Sequence, residues 1–122
     1  MIGYAMLGTN DLPRALAFYD AVLAELGAKR LMAFERSTLY GVTAPALGIG
    51  LPYDGAPAGA GNGTMIALNA DSHAVIEATH ARALALGGTD EGAPGWRGEE
   101  GGFYAGYFRD LDGNKLCVFK IG

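Results

Sequence analysis

Few side chains in this 122-residue sequence could do chemistry, and their spacing limits what each could do. Cys117 is the only cysteine, with Lys115 two residues before it on the same face of a strand. A nearby cation favours a thiolate, so Cys117 is a candidate nucleophile, but no histidine lies near it in sequence to act as base. The two histidines, His73 and His80, sit seven residues apart on a predicted helix, where a surface or half-buried place is expected. Asp110 and Asp112 look like a carboxylate pair or part of a calcium loop. The glycine falls fourth from Asp110 rather than sixth, so a turn is the better reading. Asp90, Glu91, Glu99 and Glu100 make an acidic stretch with Arg97, Trp96 and Pro94. That stretch suggests a mobile flap able to meet a cationic aromatic ligand. Tyr40, Phe103, Tyr104, Tyr107 and Phe119 are strand aromatics. Alternation puts Phe119 beside Cys117, but both parities of Phe103–Phe108 are aromatic, so the inward side there stays open. No Ser-His-Asp set, phosphate loop or dinucleotide fingerprint occurs.

The composition narrows the classes further. Nine basic and 13 acidic side chains leave a formal charge of −4, and half the residues are apolar. This is the balance of a folded globular chain, not a disordered one. One cysteine excludes a disulfide framework. A pI near 5.0 without a basic cluster argues against nucleic acid as a partner. No apolar run approaches the roughly 18 residues of a membrane span, so no membrane partner is expected. The start lacks the pattern of a signal peptide, and the expected location is the cytoplasm.

The elements that must position these residues occur twice. Residues 3–29 and 64–90 align without a gap at an offset of 61, placing Leu7 on Leu68, Leu23 on Leu84 and Gly27 on Gly88. Met1–Gly8 reads as a buried strand. Asn10 and Asp11 can cap a helix that Pro13 tolerates at its start. Leu12, Ala15, Leu16, Tyr19, Val22, Leu23 and Leu26 form its apolar stripe, and Gly27 ends it. In the second copy, Met65–Leu68 is the strand, Asp71 or Ser72 the cap, and Gly87-Gly88 the stop. Short strands follow near Arg30–Phe34, Thr38–Val42 and Leu47–Leu51, and again at Phe103–Arg109 and Lys115–Ile121. Asp112-Gly113 marks the last hairpin turn. Tyr53–Asn62 reads as the linker, and Thr89–Gly102 resists assignment.

These residues resemble the vicinal oxygen chelate superfamily of glyoxalases, bleomycin-resistance proteins and extradiol dioxygenases. The matching segments are LGTNDLPRALAFYDAVLAELG at 7–27, GNGTMIAL at 61–68, GGTDEGAPGWR at 87–97 and GFYAGYFRDLDGNKLCVF at 102–119. The resemblance implies an α+β fold of two tandem βαβββ modules, 1–58 and 59–122, in one domain whose sheets curl around a cavity. It also implies a homodimer.

Metal-using members of that superfamily place a His or Gln on the first strand of each half and a Glu on a late strand. Matched residue by residue, these positions fall on Tyr4, Met65 and Cys117, and no Asp or Glu occurs between Glu35 and Asp54. Phenol, thioether and lone thiol are poor donors for a hard divalent ion, so no metal and no cofactor is expected. The expected cavity is instead apolar and polarizable, containing Tyr4, Met65, Trp96, Tyr104, Cys117 and Phe119, and suited to a small apolar or aromatic molecule. The alternative is a glyoxalase-like lyase or isomerase, or a dioxygenase, with Tyr4, Tyr104 and Cys117 as the candidate catalytic residues.

Overall fold

Asp11 caps the first helix, its carboxylate accepting from the Arg14 amide at 3.1 Å, with Pro13 in the first turn. Ser72 caps the second in the same way through the Val75 amide. Asn10, the other expected cap, instead ties down the chain between the modules: its amide donates to the Ala58 carbonyl and its oxygen accepts from the Ala58 amide. Gly27 and Gly87 take the left-handed backbone that ends each helix (φ 76° and 100°).

The structure is a computed structural model that describes residues 1–99 and 101–122. The elements are β1 (Ala5–Gly8), α1 (Leu12–Ala24), β2 (Lys29–Ala33), β3 (Ser37–Gly41), β4 (Leu47–Gly50), β5 (Ile66–Asn69), α2 (His73–Ala85), β6 (Thr89–Arg97), β7 (Phe103–Arg109) and β8 (Lys115–Ile121). They form two four-stranded sheets with the same wiring. The first, sheet A, has the order β1-β4-β3-β2, and the second, sheet B, has β5-β8-β7-β6. In each, the first strand runs parallel to the last and the other pairs are antiparallel. The fold is the expected α+β pair of tandem βαβββ modules.

Two details depart from the sequence reading. The first strand starts at Ala5, not Met1, because β4 offers only Leu47–Gly50 as partners. The segment expected as a flap contains β6, the outer strand of sheet B. Its register slips between Asp90 and Gly92 and again between Gly92 and Gly95, which hides the alternation that would announce a strand. Its acids are also engaged: Asp90 accepts from the Gly92 amide and lies against His80, and Glu91 pairs with Arg109. Glu100 lies outside the described residues.

One core joins the modules. α1 packs on α2, and Phe18 of α1 reaches Phe108 of β7, with ring centroids 6.5 Å apart. Leu7, Tyr40 and Ile49 from sheet A share this cluster with Phe108, Leu116 and Val118 from sheet B. Each helix therefore covers one face of its own sheet and leaves the outer face without a helix. Burying this apolar surface drives the assembly.

Candidate functional site

Strand register sorts the chemistry-bearing residues onto two faces of sheet B. Leu116 and Val118 face the core, so Cys117, Phe119 and Lys115 face outward. The antiparallel partner adds Tyr107 opposite Cys117 and Phe103 opposite Ile121. On this outer face Phe119 stacks on Phe103 at 5.3 Å between centroids. Cys117 is nevertheless almost fully covered, at 1% exposure. Burial pushes its thiol pKa up, against the opposing pull of the Tyr107 hydroxyl and the Arg97 and Lys115 charges.

Tyr104 and Trp96 lie on the opposite face. The Tyr104 hydroxyl donates to Glu77 of α2 at 2.8 Å, and its ring stacks on His73 at 4.0 Å. Trp96 meets both rings edge-on. The structure does not bring these two residues to the surface that holds Cys117 and Phe119. The Glu77 carboxylate, followed by burial, holds the Tyr104 phenol above its usual pKa.

In sheet A, Leu7 faces the core, so Tyr4 and Met6 face outward and are about half exposed. Met6 lies across Gly48, where an added Cβ would meet its sulfur at 2.1 Å, so this glycine leaves room for the methionine. Met65 projects just before β5, 41% exposed.

Between the modules lies a cavity of about 440 Å³, walled by Leu23 of α1, Leu26 just after that helix, Tyr40, Leu47, and Ile66 and Leu68 of β5. Its size falls in the range of small-molecule sites, and its walls are predominantly apolar. β5 borders it and is the outermost strand of its sheet, so among the described residues one edge of β5 has no strand partner. Of the six expected cavity residues, Met65 alone is among those walling it. Sequence reading assigned Leu23 and Leu26 to the helix's buried stripe, and nothing in their spacing separates a residue facing a void from one facing a neighbour. Tyr40 is anchored at this wall, its hydroxyl donating to Asp20 at 2.8 Å, while Arg30 holds Asp20 with two bonds of 2.8 and 2.7 Å. The Arg30 bonds, as the larger influence, keep the Asp20 carboxyl below the usual range.

The family model described as the Glyoxalase/Bleomycin resistance protein/Dioxygenase superfamily matches residues 1–118. The chain belongs to this superfamily. It is similar to the solved structure of a glyoxalase/bleomycin resistance protein from Albidiferax ferrireducens T118, with 39% identity over 98% of this chain and 97% of that one and a TM-score of 0.89. A glyoxalase-related enzyme from Fulvimarina pelagi (20% identity, 98% and 86% covered, TM-score 0.74) shares the fold. So does a fosfomycin resistance protein from Mesorhizobium loti (19% identity, 100% and 92% covered, TM-score 0.70). The curated proteins give no match.

The superfamily's metal does not fit the residues present here. The positions that the resemblance matches to its ligands, Tyr4, Met65 and Cys117, hold a phenol, a thioether and a covered thiol whose pKa burial raises, a set without imidazole or carboxylate. Among the described residues, no three His, Cys, Asp or Glu side chains come together as a possible metal cluster.

Proposed function

We propose that this superfamily member binds a small apolar or aromatic molecule in the cavity between its modules, without a divalent metal of the family type. The observation that carries the reading is the cavity of about 440 Å³ with its leucine and isoleucine walls. An apolar ligand there gains by leaving water, while the unpaired β5 edge offers hydrogen bonds that could orient it. The donor chemistry of Tyr4, Met65 and Cys117 supports the metal-free part of the reading. We place the protein in the cytoplasm as a homodimer. Tyr4, Met6, Met32 and Phe34 are large apolar side chains left exposed in the single chain, and a second copy would cover such a surface.

The test is a titration with N-phenyl-1-naphthylamine, a neutral aromatic whose fluorescence rises in apolar surroundings. Saturable binding of one probe per chain is expected. Ala46 stands exposed at the cavity wall, and Ala46→Trp should weaken the probe by about tenfold by filling the space. Absent saturation, or equal affinity in the variant, would overturn the reading. Elemental analysis should find far less than one transition metal per chain. Sedimentation should report twice the 12.6 kDa chain mass. Turnover of the methylglyoxal–glutathione adduct by metal-free protein would instead make it a lyase of the glyoxalase kind.

A further inference from the structure

We infer that Asn62, in the linker between the modules, is a site of spontaneous covalent modification, losing its side-chain amide through a cyclic imide formed with the Gly63 backbone nitrogen. The inference is independent of the cavity reading.

The reaction needs two groups free at once. The backbone nitrogen of the following residue gives its proton to hydroxide and attacks the side-chain carbonyl carbon. The new C–N bond closes a five-membered ring, and the side-chain nitrogen takes a proton from water and leaves as ammonia. Water then opens the imide. Breaking the Cγ–N bond gives aspartate, and breaking the original peptide bond gives isoaspartate, whose main chain runs through Cγ. In sum, one amide and one water become one carboxylic acid and one ammonia.

Hydrogen bonds hold back three of the four asparagines. The Asn10 side chain is bonded to Ala58 at both its oxygen and its nitrogen, and the Asp11 amide that would attack it donates to the Thr9 hydroxyl at 3.1 Å. The Ala70 amide beside Asn69 donates to the Phe119 carbonyl at 2.9 Å. Asn114 is buried, and its side chain donates to the Gly8 carbonyl and to Asp110. The Asp-Gly pairs, which could close the same ring by losing water, are held likewise. Gly55 donates to the Pro52 carbonyl and Gly113 to the Asp110 carbonyl, each at 3.1 Å.

Asn62-Gly63 differs in every respect. The Thr64 amide donates to the Gly61 carbonyl at 3.3 Å, closing a turn with these two residues in its middle. Both are exposed, and among the described residues neither the Asn62 side chain nor the Gly63 amide has a hydrogen-bond partner. Gly63 has φ 98°, and nothing lies within 4 Å of where its Cβ would stand. The attacking nitrogen therefore carries no side chain to crowd the ring. The Asn10–Ala58 bonds tie the chain on one side and β5 begins at Ile66 on the other, so the turn between them can adjust its dihedrals.

The test incubates the whole chain at pH 8 and follows it by peptide mapping and by enzymatic methylation of isoaspartyl groups. A gain of about 1 Da confined to the Asn62 peptide is expected, with isoaspartate as the main product and ammonia released. Asn62 should react at least about tenfold faster than Asn10, Asn69 or Asn114 in the native protein. It should keep within about threefold of its own rate in the urea-unfolded chain, where the other three speed up. Asn62→Gln should abolish the gain, because its ring would need six members, and Gly63→Ala should slow it about tenfold. Unchanged N-phenyl-1-naphthylamine binding in these variants would confirm that they fold. Native Asn62 as slow as the other asparagines, or slowed tenfold relative to the unfolded chain, overturns the proposal. So does an unchanged rate in Gly63→Ala.

Discussion

The Tyr19 hydroxyl donates to Asp110 Oδ2 across 2.5 Å, joining the helix of the first module to the last turn of the second. Both groups are covered, at 1% and 6% exposure. Asp110 also accepts from the amides of Asp112 and Asn114 and from the Asn114 side chain, each at 2.9 Å. The turn is held to β1 as well, because Thr9 and the Asn10 amide donate to Asp112, and Asn114 donates to the Gly8 carbonyl. Tyr19→Phe removes one charge-assisted bond and leaves the carboxylate its other partners. We expect a loss of about 1.5–3 kcal/mol, read as a lower urea midpoint with an unchanged slope. Asp110→Ala should cost more, because three donors besides Tyr19 lose their acceptor. A Tyr19→Phe protein as stable as the wild type would show that the contact contributes nothing.

Stability should fall in alkali because of two tyrosines. Burial, then the Asp110 charge, raises the Tyr19 pKa well above its usual value. Burial, then the Asp20 bond, raises Tyr40. A raised folded-state pKa means that the native state holds its proton more tightly than the unfolded chain does. The contribution is complete below the unfolded tyrosine value of about 10 and is lost as pH rises above it toward the folded values. The urea midpoint should therefore hold from pH 8 to about 9.5 and drop by pH 11. Phenolate absorbance should develop in two steps, with these two residues ionising only on unfolding. Tyr40→Phe should flatten the decline, and an equally steep decline in that variant would exclude Tyr40 as a cause.

Cys117 should behave as a shielded thiol. It is covered, and burial, the largest influence, raises its pKa. A disulfide reagent at pH 8 should label the native protein at least about tenfold more slowly than the urea-unfolded chain, since only an accessible thiolate attacks. Lys115→Gln should slow labelling a little further by removing a nearby positive charge. Native labelling as fast as unfolded would mean that the outer face opens readily at Cys117.

Local physics made most of the elements legible. A carboxylate or hydroxyl at a helix start, a three-and-four apolar stripe and a glycine with freedom to turn left act over a few residues. Asp11, the Leu12–Leu26 stripe and Gly27 were readable for that reason. So was the repeat, because each copy solves the same local problem. The strand β6 was not, since its glycines interrupt alternation and its pairing is set by β7, more than ten residues away in parts.

The doubled architecture, the family likeness and the lack of imidazole or carboxylate at Tyr4, Met65 and Cys117 are matters of residue identity and short-range spacing, and the chain order alone carries them. Which faces the aromatic and sulfur side chains share was set by packing in three dimensions. It sent Tyr104 and Trp96 to His73 on the helix side, left Cys117 with Tyr107 on the outer side, and opened the cavity between α1 and β5. Phe103–Phe108 carry aromatic side chains on both parities, so the choice of face falls to packing against α2, and packing depends on contacts that spacing along the chain does not encode.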